Sequence, residues 1–197
     1  IYLLKNEEGA KPVQLTKNST AWKYEGSWSP DSKKFMYFDR NQELRLLDVA
    51  SKKETLIEKS GQDEIFDQVF SGDSKWIAYS KEAENGNNTV WVYNIETKKK
   101  FQITKDEFSS FSPEFSKCGN YMFFISNRNF NLAFSSFEFN YLYNNAGKIY
   151  AVALQKSTPR LFEYENDMEG DDKKDDDKKS KADKDKSVKI DKDGILD

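Results

Sequence analysis

The 197 residues contain no histidine. Without it there is no Ser–His or Cys–His dyad to activate a nucleophile, and zinc loses its commonest nitrogen ligand. A Ser–Lys dyad would need a desolvated lysine, yet the lysines fall mainly in polar turns and one charged run. Cys118 is the single cysteine, so no internal disulfide forms. That suits a reducing compartment and equally an envelope protein without disulfides, so cytoplasm and bacterial periplasm both stay open. No apolar run approaches the ~20 residues of a membrane helix. The run 121–125 is strand-sized. The formal net charge of −3 is too small to point to nucleic acid, and no basic stripe interleaves with aromatics. These absences leave the chain with no assigned catalytic, metal or cofactor-binding residue and no expected cofactor. Nucleic acid is likewise not expected as a partner, and no membrane span is expected. The chain opens at Ile1 rather than Met, already on a strand pattern, so further sequence is expected upstream.

What the chain has is aromatic residues, 15 Phe, 10 Tyr and 4 Trp. Aromatic and β-branched side chains suit half-buried pleated surfaces, which predicts an all-β fold. A repeat runs through it. Trp28-Ser29-Pro30-Asp31-Ser32-Lys33-Lys34-Phe35-Met36-Tyr37 aligns with the ten residues from Phe70 at an offset of 42, and those align with the ten from Phe115 at 45. Each copy is an aromatic, a polar turn and an apolar strand. Pro30 followed by Asp31 suits the corner of a type I turn. Ser32 and Ser74 stand where Gly119 stands in the third copy. A turn that accepts Ser is expected not to demand a positive φ.

A second block follows each turn: 44–49, 90–95 and 149–154, with 1–4 as a further copy. After each comes another short strand, at 54–57, 101–104, 160–164 and 13–16. Four short strands per 42 to 45 residues is the pattern of a β-propeller blade. A β-sandwich also spaces strands regularly, but has no reason to repeat its turn chemistry at this period. The segmentation reads as a partial blade over 1–16, then blades over 21–57, 65–104 and 109–164. A charged linker follows over 165–186, and 187–197 starts the next blade. Roughly four blades with ragged ends predict an open arc of a larger, about six-bladed propeller. Its open faces predict self-association.

Two segments interrupt the repeat. Between Ser126 and Ile149 lies an insertion in which Phe130, Phe134, Phe137, Phe139, Tyr141 and Tyr143 crowd into 14 residues. A loop this long is often functional, which suggests a lip for extended peptide. Clustered aromatics more often fill a core, so the insertion is read first as a hairpin packed on the blade below. From Asp171 to Lys186 there are seven Asp and seven Lys. With nothing apolar to bury, this run is expected to be disordered. Asp175, Asp176 and Asp177 lack calcium-loop spacing, and Asp191-Lys192-Asp193-Gly194 lacks the upstream Asp and the closing Glu.

The Ser-Pro-Asp-Ser-Lys-Lys-Phe-Met-Tyr and Leu-Arg-Leu-Leu-Asp-Val pairs resemble TolB-like and tricorn-like propeller repeats. More specifically, Phe124-Ile125-Ser126-Asn127-Arg128-Asn129-Phe130-Asn131, Phe137-Glu138-Phe139 and Lys148-Ile149-Tyr150 look like the N-terminal propeller region of tricorn-type serine peptidases. So does Val188-Lys189-Ile190-Asp191-Lys192-Asp193-Gly194-Ile195 after the charged run. The resemblance covers almost the whole chain outside the Asp/Lys run. It implies a larger parent with PDZ-like and peptidase domains downstream, whose catalytic Ser, His, Ser and Glu have no counterpart here. It also implies oligopeptides or unfolded segments as ligands. Two other readings stay open at this point: a stand-alone TolB-like interaction propeller, and the propeller of a dipeptidyl-peptidase or prolyl-oligopeptidase relative.

Overall fold

The computed structural model describes residues 1–17, 20–61, 64, 65, 67–129, 131–162, 187–193 and 195. The Asp/Lys run over 165–186, including the Asp175–177 cluster, lies outside the described residues. The fold is all-β, and the described residues form antiparallel sheets without a helix. It divides into two compact units, Ile1–Phe66 and Asp67–Asp197.

The first unit holds a two-stranded pair, β1 (Tyr2–Leu3) and β2 (Val13–Gln14). It also holds a four-stranded sheet of β3 (Lys23–Trp28), β4 (Lys34–Asp39), β5 (Glu43–Asp48) and β6 (Lys53–Lys59), in the order β3-β4-β5-β6. Sequential hairpins make this meander, and β4 is its buried centre, with Met36, Tyr37 and Phe38 all at 1% exposure or less. Gly26 sits on β3 because nothing larger fits. An added Cβ would lie 2.3 Å from the Met36 carbonyl oxygen and 2.7 Å from the Phe35 ring.

The second unit repeats the meander. β7 (Val69–Phe70), β8 (Trp76–Glu82), β9 (Asn88–Asn94) and β10 (Lys100–Gln102) form one four-stranded sheet. β11 (Ser110–Phe115), β12 (Tyr121–Ser126) and β15 (Lys148–Ala153) form a three-stranded one. The hairpin of β13 (Leu132–Ser135) and β14 (Asn140–Tyr143) stands between β12 and β15. The two larger sheets share a core of Val90, Val92, Phe115, Met122, Phe124 and Leu154. Asp67 links them at one edge. Its carboxylate accepts the Ser80 amide and hydroxyl on β8 and, at 2.7 Å, the Ser112 amide at the bulge of β11.

The repeated turn has the same bonds in all three copies. Ser32 N–H donates to Ser29 O, Ser74 to Ser71 and Gly119 to Ser116, at 2.8, 2.9 and 3.0 Å. The Ser29, Ser71 and Ser116 hydroxyls accept the amides of Lys34, Trp76 and Tyr121. The expectation that Ser marks an ordinary φ is corrected here. Ser32 and Ser74 take φ of 58° and 60°, beside 74° at Gly119. The left-handed conformation costs a non-glycine residue on the order of 1 kcal/mol or more. Where Ser stands, a carboxylate at the preceding position offsets that cost: Asp31 accepts the Ser29 hydroxyl and the Lys33 amide, and Asp73 the Ser71 hydroxyl and the Lys75 amide. The third copy has Cys118 in that place, and its following residue is Gly.

The strand expected over 160–164 has no counterpart in the described residues 160–162. Pro159 lacks a ladder N–H, and its carbonyl accepts the Tyr121 hydroxyl at 2.6 Å. The chain beside β15 comes instead from the far side of the charged run. Asp191 N–H donates to Leu154 O at 2.8 Å, and the Asp191 carboxylate accepts the Lys156 amide. Val188, 4% exposed, enters the core, with Ile190 and Ile195 packed against it.

Candidate functional site

The hairpin of β13 and β14 is tied at its stem by asparagines. Asn144 N–H donates to Asn131 O, and the Asn129 side-chain amide donates to Asn145 O. The register places Leu132 opposite Tyr143 and Phe134 opposite Tyr141. Side chains alternate along a strand, so these four share one face, and Phe139 joins them through its edge contact with Phe134 at 6.3 Å. Phe134 also meets Tyr141 at 5.2 Å.

The hairpin does not bury this face on the blade below, as the first reading of the insertion expected. Phe137 is 91% exposed, Phe139 77% and Tyr141 65%. The rings pack on one another instead, Phe134 against both Phe139 and Tyr141. Five neighbouring apolar side chains in water form a surface of the kind that receives a partner. Phe130 lies outside the described residues.

At the foot of the hairpin, Arg128 is held in place. Its guanidinium lies 4.7 Å from the Tyr150 ring centre and 5.7 Å from that of Phe124, and the two rings stack on each other. Its Nε–H donates to the Ser126 hydroxyl at 3.0 Å, and Ser126 is bonded in turn to the Ser110 hydroxyl. Ser110 and Ser126 are both fully buried. Sequence reasoning gave Arg128 no role. A Ser two residues before an Arg at a strand end was the available signal, but its meaning depends on Tyr150, 22 positions later.

The displaced titrations are structural. Burial, then the bond to Glu54, pushes the Tyr37 phenol well above its ordinary range. The Ser29 hydroxyl, and further the Lys33 amide, hold Asp31 below the usual carboxylate range. The Ser51 amide and hydroxyl do the same for Asp48. None of these groups lines the hairpin. Among the described residues no three Cys, Asp or Glu side chains gather as a metal would need, and no helix is long and apolar enough to cross a membrane.

Residues 1–197 match the family described as the tricorn protease second β-propeller domain. The chain is 28% identical over 134 residues to the tricorn protease of Thermoplasma volcanium, covering 65% of this chain and 13% of that protein. It is 27% identical over 126 residues to a tricorn protease homolog of Saccharolobus solfataricus, covering 64% and 12%. Among solved structures it is similar to the crystal structure of the tricorn protease, with a TM-score of 0.70 at 20% identity over 77% of this chain and 15% of that one. The chain thus spans only about an eighth of the length of these relatives.

Proposed function

Because the chain belongs to the family of the tricorn protease second β-propeller domain, we propose that it holds extended or unfolded peptide for a peptidase region carried elsewhere in its parent, and cleaves nothing itself. The observation that carries this reading is the exposed aromatic face of the 132–143 hairpin. An extended chain presents apolar side chains and unpaired backbone groups. The hairpin offers rings for the first and strand edges for the second. Aromatic recognition of this sort tolerates many sequences, which suits a holder of unfolded substrate.

Catalysis is assigned elsewhere on chemical grounds. General-base activation of Ser or Cys falls most often to His, and the chain has none. Family membership favours this accessory role over a stand-alone TolB-like module or a dipeptidyl-peptidase relative. The PDZ-like and peptidase domains of the parent are its proposed intramolecular partners.

The test is binding of casein, an unfolded protein, to the 197-residue chain and to a Phe134→Ser, Tyr141→Ser variant. Binding should weaken by about tenfold or more in the variant, the scale of losing two aromatic anchors. Equal binding by both proteins would remove the hairpin from the account.

A further inference from the structure

Beside Arg128 the second unit opens a cavity of about 360 Å³ between the 103–108 segment and β12 and β15. That is large enough for part of a small ligand. Its walls carry two kinds of chemistry. Ile103, Phe108, Val152 and Ile195 supply apolar surface. Lys105 and Arg128 supply positive charge, against one carboxylate, Glu107.

Arg128 is prepared for an anion. Its guanidinium lies over the Tyr150 and Phe124 rings, and Ser126 takes its Nε–H. The remaining guanidinium N–H groups have no carboxylate within ion-pair distance among the described residues. Lys105 likewise has no ion-pair partner there, and Glu107 does not neutralise either cation by contact. A planar guanidinium with a free fork matches a carboxylate through two parallel hydrogen bonds. Prior ordering of the side chain lowers the entropy lost on binding. The apolar walls next to the fork then suit a hydrophobic neighbour of that carboxylate.

We propose that this cavity binds a carboxylate carried beside an apolar residue, with Arg128 as the anchor. The proposal rests on the peptide-holding reading above and sharpens it: the ligand is a peptide with an acidic group at a defined place. That group is either a chain's terminal carboxylate or an Asp or Glu side chain within it.

The experiment uses the ¹⁵N-labelled 197-residue chain and three N-acetylated apolar hexapeptides. One ends in a free carboxylate, one in an amide, and one in an amide with a single internal Glu. Either acid should bind about tenfold or more tightly than the neutral amide, the scale of a charged hydrogen bond, and should shift the Arg128 Nε–H and Val152 amide signals. Which acid wins identifies the source of the carboxylate. Arg128→Gln should erase the preference, and Arg128→Lys should keep only part of it. Equal affinity of the wild-type chain for acid and amide, a comparison that needs no variant, overturns the cavity's role and leaves peptide holding intact. A preference that survives in a folded Arg128→Gln protein overturns it too. If no peptide binds, both readings fall.

Discussion

The amide of Val188 donates to the Asp73 carboxylate at 2.7 Å, across 115 residues of sequence, and the Val188 carbonyl accepts the Trp76 indole N–H at 3.0 Å. Val188 is therefore pinned on both sides of its peptide to the turn that opens β8. Its side chain is 4% exposed in the core that the second unit's sheets share. Val188→Ala should destabilise the second unit by about 1–3 kcal/mol through lost burial and the cavity left behind. Urea unfolding followed by tryptophan fluorescence reads this. A change within about 0.5 kcal/mol would mean the 187–191 segment is not part of the folded unit.

Gly26 should tolerate no side chain. In Gly26→Ala the new methyl meets a backbone oxygen and the Phe35 ring, so β3 must shift. Overpacking of this kind costs about 1–3 kcal/mol. Thermal unfolding should show a clear drop in Tm, where Gly72→Ala, with nothing within 4 Å of its Cβ, should stay close to the wild type.

Acid should loosen the first turn. The Asp31 pKa is lowered from an ordinary 3.8 by Ser29 and Lys33, and a depressed carboxylate gives stability that is full above its unfolded value and lost as pH falls through its folded one. Asp31 therefore contributes most at neutral pH and nothing at the acid end. Asp31→Asn should lower Tm at pH 7 and leave it nearly unchanged below that folded value. An equal drop at both pH values would assign the effect to packing rather than charge.

Alkali acts on the core of the same sheet. Tyr37 titrates above its ordinary 10.0 because burial and the bond to Glu54 oppose the phenolate. A raised pKa gives stability that is complete below the unfolded value and is lost as pH climbs through the folded one. Stability should fall from about pH 10 upward, and Tyr37→Phe should flatten that fall at a small cost near neutrality. A parallel alkaline decline in both proteins would clear Tyr37 of the role.

The blade pattern was legible because three turns share one solution. Ser29, Ser71 and Ser116 close the same bonds at offsets visible in the chain. The φ at Ser32 and Ser74 was not legible from residue type, since all three copies of the turn take a positive φ whether Ser or Gly stands there. The fate of the 132–143 aromatics turned on whether a surface lies beneath them, which no local pattern states. Val188 and Arg128 were missed for a common reason. Each takes its meaning from a residue far along the chain, Asp73 for one and Tyr150 for the other.

Peptide holding without cleavage is tested most directly by hydrogen exchange on the 197-residue chain, with and without a saturating unfolded peptide, read by mass spectrometry. Bound peptide should slow exchange across 132–143, where β13 and β14 leave strand edges open, and the peptide should be recovered at its starting mass. Unchanged exchange across 132–143, or recovery of peptide fragments, would contradict the account.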